Sequence, residues 1–406
     1  MVSAAENYAL TDVAPGKPMH LFWKRYWIPA LRSQKLVAEG APERVRLLGE
    51  NYVAFRAKDG RIGFFSEYCP HRRASLVLAR SEDCALRCIY HGWKIDVSGA
   101  VLETPNDPNP DFPKTVRVRP YPTHEAAGIV WVFLGEGPPP RFTDFVFTHL
   151  PPEQVWPRAA IVNSNWLQGL EGTVDPSHVA ILHGNVTRAA RALASIDLMS
   201  SVNAPRIETE NRPYGMSVAA LREAGGGKRY VRVGEWVAPG LAFIPYAPDE
   251  PQQCIICVPV DTDHTLQWNI FFHYQRPMTP AEREFMRYGT GLDDDNIYEA
   301  RLDDPRWGQD RAAMRNGSHS GLPGVIVEDF VIAESMGAIP DRTVEYLCAS
   351  DISVVRLRRL LLDGLARLAA GESLPGQDGN IAVANIRATA GVFGANEDWR
   401  KLGGNS

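Results

Sequence analysis

Two short stretches, CPHRRASL at 69–76 and CIYHGW at 88–93, each place a histidine close behind a cysteine. The pairs are Cys69 with His71 and Cys88 with His91, in a chain that has only six cysteines and ten histidines among 406 residues. Thiolate sulfur and imidazole nitrogen are common ligands of transition metals. If the four bind one metal centre, the fold must bring these two loops together.

Two kinds of centre use two cysteines and two histidines, a tetrahedral zinc ion and a Rieske [2Fe–2S] cluster. A zinc finger pairs cysteine with cysteine and histidine with histidine along the chain. Here each loop supplies one of each, so each loop can contact both irons of an extended cluster. The spacing favours a Rieske cluster bound by Cys69, His71, Cys88 and His91. Cys84 lies off this pattern and is predicted to be packed.

The composition excludes several partners. A net charge of −5 is unfavourable for nucleic acid or an anionic membrane surface. No apolar run approaches the length of a membrane span, and the first twenty residues lack the apolar core of a signal peptide. We therefore expect a cytoplasmic protein with no membrane and no nucleic acid partner.

A second metal motif occurs in NSNWLQGLEGTVDPSHVAILHG at 163–184, where His178 precedes His183 by five positions. Five helical positions rotate by about 140°, so an ideal helix would not place both on one face. Asp175 and Pro176 form a good N-cap and first turn, and Gly184 a good stop, which predicts one short, distortable helix. Two imidazoles and one carboxylate would form the facial triad of a mononuclear Fe(II) centre. Spacing alone does not select the carboxylate.

Together, CPHR and CIYHGW resemble the Rieske domain of the aromatic-ring hydroxylating oxygenases. Arg73 stands where that family commonly has a small residue, which predicts a change in local loop packing and not in ligation. The stretch 327–359 is similar to the C-terminal block of the phthalate dioxygenase branch. The resemblance covers nearly the whole chain.

This resemblance implies roles for particular residues. The aspartate of the Glu328-Asp329 pair corresponds to the third iron ligand, so Asp329 takes that role. Asp175 corresponds to the acidic residue that links a cluster histidine of one subunit to an iron-bound histidine of its neighbour. In the matched helix, Asn165, Gln168 and Glu171 are candidates to line the site or orient a histidine.

The expected fold class is α+β. Period-two patterns in the first third predict antiparallel strands, and the Pro-rich stretches near 135–157 predict a boundary. We expect an N-terminal helical segment at 1–40 that packs on the catalytic domain, an antiparallel β Rieske domain at 41–145, and a catalytic domain at 146–406. The resemblance implies that the catalytic domain has the helix-grip fold, an antiparallel sheet with helices.

No dinucleotide-binding glycine pattern is present, and GGGK at 225–228 lies between two strand patterns, as a hairpin turn would. Flavin and NAD(P)H are therefore expected on a separate reductase. The resemblance implies a homotrimer in which electrons cross a subunit interface.

The predicted function is that of a terminal oxygenase that hydroxylates an aromatic substrate with O₂. Relatives of this branch mostly act on aromatic acids, by ring cis-dihydroxylation or by oxidative demethylation, and the sequence does not distinguish the two. An anionic substrate requires a buried cation, for which Arg206, Arg212, Arg229 and Arg232 are candidates. The alternatives are a Rieske electron-transfer protein without oxygenase activity and a zinc-stapled helix-grip binding protein.

Overall fold

The computed structural model describes residues 2–184, 204–287, 293–377 and 381–404. Three small antiparallel sheets occupy the first third of the chain, and one large antiparallel sheet with helices follows. The expected α+β class is confirmed.

The three small sheets have the strand orders β1-β10-β9, β2-β3-β4 and β5-β6-β7-β8. Their strands are β1 Trp27–Arg32, β2 Glu43–Leu47, β3 Glu50–Arg56, β4 Ile62–Ser66, β5 Arg80–Glu82, β6 Ala85–Arg87, β7 Lys94–Asp96, β8 Val101–Glu103, β9 Thr123–Ala126 and β10 Ile129–Phe133. A turn at Asp59-Gly60 joins β3 to β4, and Gly60 has φ +89° there. The predicted cluster loops lie between β4 and β5 and between β6 and β7.

The large sheet has the order β11-β17-β16-β15-β14-β13-β12, and β18 also pairs with β14. Its strands are β11 Val155–Val162, β12 Arg206–Arg212, β13 Gly215–Gly225, β14 Lys228–Val237, β15 Leu241–Ile244, β16 Gln252–Pro259, β17 Thr265–Phe272 and β18 Thr389–Gly394. The glycines between β13 and β14 all have positive φ, so the GGGK turn is confirmed. Every pairing in this sheet is antiparallel, which lets side chains at alternate positions form one continuous face.

Helices cover this sheet. They are α1 Ala4–Thr11, α2 Pro18–Trp23, α3 Trp166–Val174, α4 Val179–Leu182, α5 Pro280–Arg287, α6 Arg311–Arg315, α7 Val325–Ser335 and α8 Ile352–Ala369. Helix α8 is amphipathic, and Leu357, Leu361 and Leu365 are buried along one face. Helices α5 and α6 lie within the stretch 279–324. Residues 288–292 of that stretch are outside the described part.

The first 23 residues pack against the part of the chain that follows β11. Trp23 meets Trp166 of α3 edge to face, with ring centroids 5.4 Å apart. Asn7 donates to the carbonyl of Pro340 and accepts from Arg342, at 3.1 Å in both cases. Strand β1 instead pairs with β10. The segment before residue 40 therefore contacts both parts of the molecule, and the limits at 40 and 145 stay predictions.

Both cysteines of β16, Cys254 and Cys257, are fully buried, and burial raises the pKa of each thiol. A thiol that resists ionisation is a poor nucleophile and a poor metal ligand.

In the described residues, no helix combines the length and hydropathy needed to cross a membrane.

A buried ion-pair network holds α3 in place. The guanidinium of Arg342 is fully buried and donates to both carboxylate oxygens of Glu171, at 2.9 Å from Nε to Oε1 and from Nη2 to Oε2. Arg358 of α8 pairs with the same carboxylate and with Glu345. The network joins α3, α8 and the segment that follows α7.

We expect Arg342→Met to lower the free energy of unfolding by about 3 kcal/mol, because it removes one partner from a buried charge pair. The matched control is Arg359→Met, since Arg359 is exposed and pairs with Asp363 one helical turn away. That change should cost less than about 0.5 kcal/mol. Denaturant unfolding of both variants measures the difference, and equal losses would contradict a stabilising role for the buried network.

Candidate metal centres and substrate cavity

The two predicted cluster loops have the same backbone conformation. In each loop the cysteine N–H donates to the carbonyl five residues later, and the cysteine carbonyl accepts from the N–H four residues later. The pairs are Cys69 N to Ala74 O (2.8 Å), Arg73 N to Cys69 O (3.0 Å), Cys88 N to Trp93 O (2.9 Å) and Gly92 N to Cys88 O (2.9 Å). Two equivalent turns therefore present one cysteine each.

The equivalence explains the departure noted at Arg73. Gly92 has φ +78° and Arg73, at the matching position of the first loop, has φ +64°. A side chain in this left-handed region costs on the order of 1 kcal/mol. The Arg73 guanidinium lies 4.4 Å from the centre of the Tyr68 ring, a cation–π contact that offsets part of this cost.

The four predicted cluster ligands lie on these two loops. Cys69 and Cys88 are buried, and the rings of His71 and His91 are 4.5 Å apart between centroids. The ring of Trp93 stacks on His71 at 4.7 Å, and its Nε1 donates to Asn106. Burial, together with the neighbouring Cys88, raises the pKa of Cys69 to about 11, so a bound cation is needed to keep this thiol ionised.

This donor set fits a two-iron cluster better than a single zinc ion. Ligands around one tetrahedral zinc lie within about 4 Å of one another. Among the described residues, one group of three or more His, Cys, Asp or Glu has ligand atoms within 4.8 Å of one another, and it does not include these four. The cysteines and histidines therefore do not converge on one ion.

The group that does converge is His178, His183 and Asp329. Oδ1 of Asp329 lies 3.1 Å from Nε2 of His183 and 3.7 Å from Nε2 of His178. The two imidazole rings are nearly perpendicular, with centroids 5.1 Å apart. Two imidazole nitrogens and one carboxylate on one side of a common point fit a facial Fe(II) site.

A second carboxylate lies behind each histidine. Nδ1 of His178 is 3.3 Å from Oδ2 of Asp175, and Nδ1 of His183 is 2.7 Å from Oε2 of Glu328. The hydroxyl of Ser320 donates to the other oxygen of Glu328. Such pairs fix the tautomer that presents Nε2 to a metal. Sequence reasoning missed Glu328 and Ser320, although two adjacent acids on a helix point about 100° apart and so have different partners.

The local backbone differs from the predicted helix. Helix α3 ends at Val174, Asp175 is its C-cap, and α4 is a single turn with His178 as N-cap and His183 as C-cap. The prediction that Asp175 and Pro176 begin a helix is wrong, because Asp175 accepts from the N–H and hydroxyl of Ser177 in a local turn. The short turn brings both histidines to one side.

The electrostatics suit a bound cation. Burial opposes the charged form of His183, but Asp329 and Glu328 outweigh it and raise its pKa to about 10. Burial likewise disfavours the carboxylate of Asp329, yet His183 keeps its pKa below the usual value. The pKa of Asp175 is lowered too, since the contact with His178 outweighs burial. The site concentrates negative charge that a divalent metal neutralises.

The three candidates at α3 have different structural roles. Asn165 caps α3, and its amide donates to the carbonyls of Thr11 and Thr262. Gln168 donates to the carbonyls of Ala333 and Gly337, which ties α3 to the end of α7. Glu171 is paired with two arginines. Gln168 and Glu171 border the cavity, and in the described residues none of the three bonds to His178 or His183.

A cavity of about 410 Å³ opens on the three converging side chains. It lies between the large sheet and helices α3, α4 and α7, and most of its wall is apolar, including Val218, Trp236, Ile255, Phe271 and Phe330. This size and lining are typical of small-molecule sites.

Of the four candidate arginines, the structure places Arg232 at this cavity. Arg206 and Arg229 pair with Glu208 and Glu223, and Arg212 pairs with Glu210. The position of Arg232 on β14 faces inward because it shares a face with Trp236.

Two family models match consecutive parts of the chain. Residues 26–122 match the model of the Rieske [2Fe–2S] domain, and residues 132–406 match the model described as LigXa C-terminal domain like.

Individual relatives agree. The oxygenase subunit of phthalate 4,5-dioxygenase from Pseudomonas putida is 37% identical over 98% of this chain and 94% of its own length. The oxygenase subunit of 3-chlorobenzoate-3,4-dioxygenase from Comamonas testosteroni is 34% identical over 92% and 91%. Among solved structures, the oxygenase in a ferredoxin complex of carbazole 1,9a-dioxygenase superposes with a TM-score of 0.55 over 82% of this chain and 88% of its own, and at 20% identity this shows the fold alone.

An identity of 37% over 98% of this chain, together with the matched Rieske domain, establishes the class and its two cofactors, a [2Fe–2S] cluster and a mononuclear iron. The chain belongs to the aromatic-ring hydroxylating Rieske oxygenases, as an oxygenase component of the phthalate dioxygenase-like branch.

Proposed function

We propose that this chain hydroxylates an aromatic acid, with Cys69, His71, Cys88 and His91 as cluster ligands and His178, His183 and Asp329 as ligands of the mononuclear iron. One observation carries the proposal: the converging His178, His183 and Asp329 open on a mainly apolar cavity in a chain that also carries the two-loop Cys/His set. An electron-transfer protein would need no such cavity.

When bound, the two iron centres supply electrons one at a time and activate O₂. The residues of the chain do the rest. Asp175 and Glu328 hold the imidazoles of His178 and His183 with Nε2 toward Asp329. The apolar walls exclude water and orient an arene near that point.

Asp175 is also placed to serve a neighbouring subunit. Its side chain remains about one fifth exposed while it holds His178. We propose that it accepts a hydrogen bond from a cluster histidine of the next subunit, which would couple electron arrival to a proton at this carboxylate.

Two exposed surfaces support a head-to-tail homotrimer. The cluster-end patch consists of Leu78, Ile89 and Tyr90, which are exposed beside the cluster loops. The iron-side patch consists of Ile181, Ile332, Met336, Val344 and Tyr346, which are exposed on segments that carry or adjoin the iron-ligand candidates. Two such apolar surfaces far from each other in sequence fit a heterologous contact between copies.

The charges around these patches are complementary. Arg72, Arg73 and Arg80 are exposed at the cluster end. Asp341 is exposed on the iron side, and Asp175 and Asp351 are partly exposed there. Opposite charges set the orientation of a protein contact more than its strength.

The electron donor is proposed to be a separate NAD(P)H-dependent reductase of the flavin or ferredoxin type, since no dinucleotide-binding pattern occurs in this chain. A solved oxygenase of this fold is in complex with a ferredoxin. The proposed location is the cytoplasm, and the proposed domains remain 1–40, 41–145 and 146–406.

The experiment that tests the function measures iron, colour and product together. Purified protein should contain about three irons per chain and show the visible absorption of a Rieske cluster. With a donor reductase, O₂ and a panel of aromatic acids and methoxybenzoates, it should form a cis-diol or formaldehyde.

Cys88→Ser should abolish the visible spectrum, whereas Cys84→Ser should keep it, because Cys84 lies between the loops without belonging to either. Colourless zinc-containing protein, or coloured protein that oxygenates none of the panel, would contradict the proposal.

The position of Glu328 behind His183 predicts a loss of iron affinity in Glu328→Ala of about 10- to 100-fold, measured by competition with a chelator. The control is Ser335→Ala in the same helix, because Ser335 is exposed and its hydroxyl donates only locally, to the carbonyl of Ile332. Equal iron affinity in the two variants would show that Glu328 does not position His183.

The subunit arrangement predicts that two inactive variants complement each other. Cys88→Ser removes a cluster ligand and Asp329→Ala removes an iron ligand, so each homotrimer should be inactive. Co-expressed at equal levels, they should regain about a quarter of wild-type activity if electrons cross between neighbours in a ring. The mass of each sample, from light scattering, checks that trimers form, and no recovery in mixed trimers would indicate transfer within one chain.

A further inference from the structure

The mainly apolar cavity contains a strip of polar side chains that the metal centres do not use. Tyr246 donates from its hydroxyl to Oε1 of Gln253 at 3.2 Å, and Nε2 of Gln253 donates to Oδ1 of Asn269 at 3.0 Å. All three side chains line the cavity, and so does Arg232. The strip therefore runs across the inner face of the sheet from β17 and β16, past the loop after β15, to β14.

Asn269 is at the end of this strip nearest β11. It is only 1% exposed, and its Nδ2 has no hydrogen-bond partner among the described residues. A buried amide without a partner has lost its hydrogen bonds to water without forming others in the protein, which is rare in folded proteins. The hydrogen bonds from Tyr246 to Gln253 and from Gln253 to Asn269 assign the Asn269 oxygen to Gln253 and leave its amide N–H groups unpartnered, in a side chain that lines the cavity.

Arg232 is the charged member. It is 7% exposed, its Nη2 donates to the carbonyl of Pro245 at 2.9 Å, and its Nε is unpartnered within the described part of the chain. Buried arginines normally pair with a carboxylate, and the unpartnered Nε leaves this guanidinium able to bind one. The cavity thus offers a cation and, separately, a neutral donor.

We infer that the substrate carries two polar groups at different ring positions, a carboxylate that binds Arg232 and a neutral hydrogen-bond acceptor that binds Asn269. This inference rests on the proposed function, since it concerns the same cavity. Apolar walls hold the ring between the two groups. The substrate class is therefore an arenecarboxylate with a second oxygen substituent, such as a methoxy, hydroxy or carbonyl group.

The test is binding to the iron-loaded, full-length oxygenase, measured by calorimetry. The probes are 3- and 4-methoxybenzoate, the isosteric 3- and 4-ethylbenzoates, which replace the ether oxygen by CH₂, and methoxybenzene, which lacks the carboxylate. One methoxybenzoate should bind about fivefold more tightly than its ethyl counterpart, and methoxybenzene about 100-fold more weakly.

Variants assign the two contacts. Asn269→Leu should remove the preference for methoxy over ethyl and leave the ethylbenzoate affinity within twofold. Arg232→Gln should weaken both acids about 100-fold and leave methoxybenzene unchanged. The control Ile161→Leu, at an exposed position of β11 outside the cavity, should preserve both preferences.

Two results would overturn the inference: no methoxy preference at either ring position in the wild type, or a preference that survives in Asn269→Leu. Absence of binding by all acids would count equally against it. A normal cluster spectrum and iron content in the same samples would show that the proposed function stands and the substrate assignment alone has failed.

Discussion

One carboxylate oxygen, Oδ1 of Asp329, lies close to the Nε2 atoms of both His178 and His183. The arrangement of the catalytic part of the chain depends on this contact among three side chains. It requires helix α7 to lie over the sheet with Asp329 facing α4. Asn163 and Tyr298 hold the far end of α7 through Glu334, and Gln168 ties that end to α3. The helices are thus fixed by polar contacts at their ends, which leaves the space between helices and sheet free for a cavity.

The two metal centres were predicted from the sequence to different degrees. The Cys/His loops could be recognised by composition and spacing, because all four ligands are local in the chain and belong to rare residue types. Asp329 needed the resemblance to a family, since many acids follow His183 and local periodicity does not say which one faces it. The partner of His183, Glu328, was missed because its role depends on the tertiary placement of α7.

Other errors have local or long-range origins. Asp175 and Pro176 have the local chemistry of a helix start, but Asp175 accepts from Ser177 in a local turn and the helix begins later, with His178 as its N-cap. Glu171 seemed free to serve the iron site, yet Arg342 and Arg358, distant in sequence, take both of its oxygens. Arg232 differed from the other three arginines only by strand register, which decides which face a residue occupies.

The contact between Asn7 and Arg342 joins two residues that are 335 positions apart in the chain. A ribosome adds about 5 to 20 residues each second, so the first helix waits tens of seconds for its partner to be made. The small β-sheets near the amino terminus can form during that interval from contacts that are close in sequence. The catalytic domain can finish folding only once the chain is nearly complete. We therefore expect iron to bind there late in the folding of the protein.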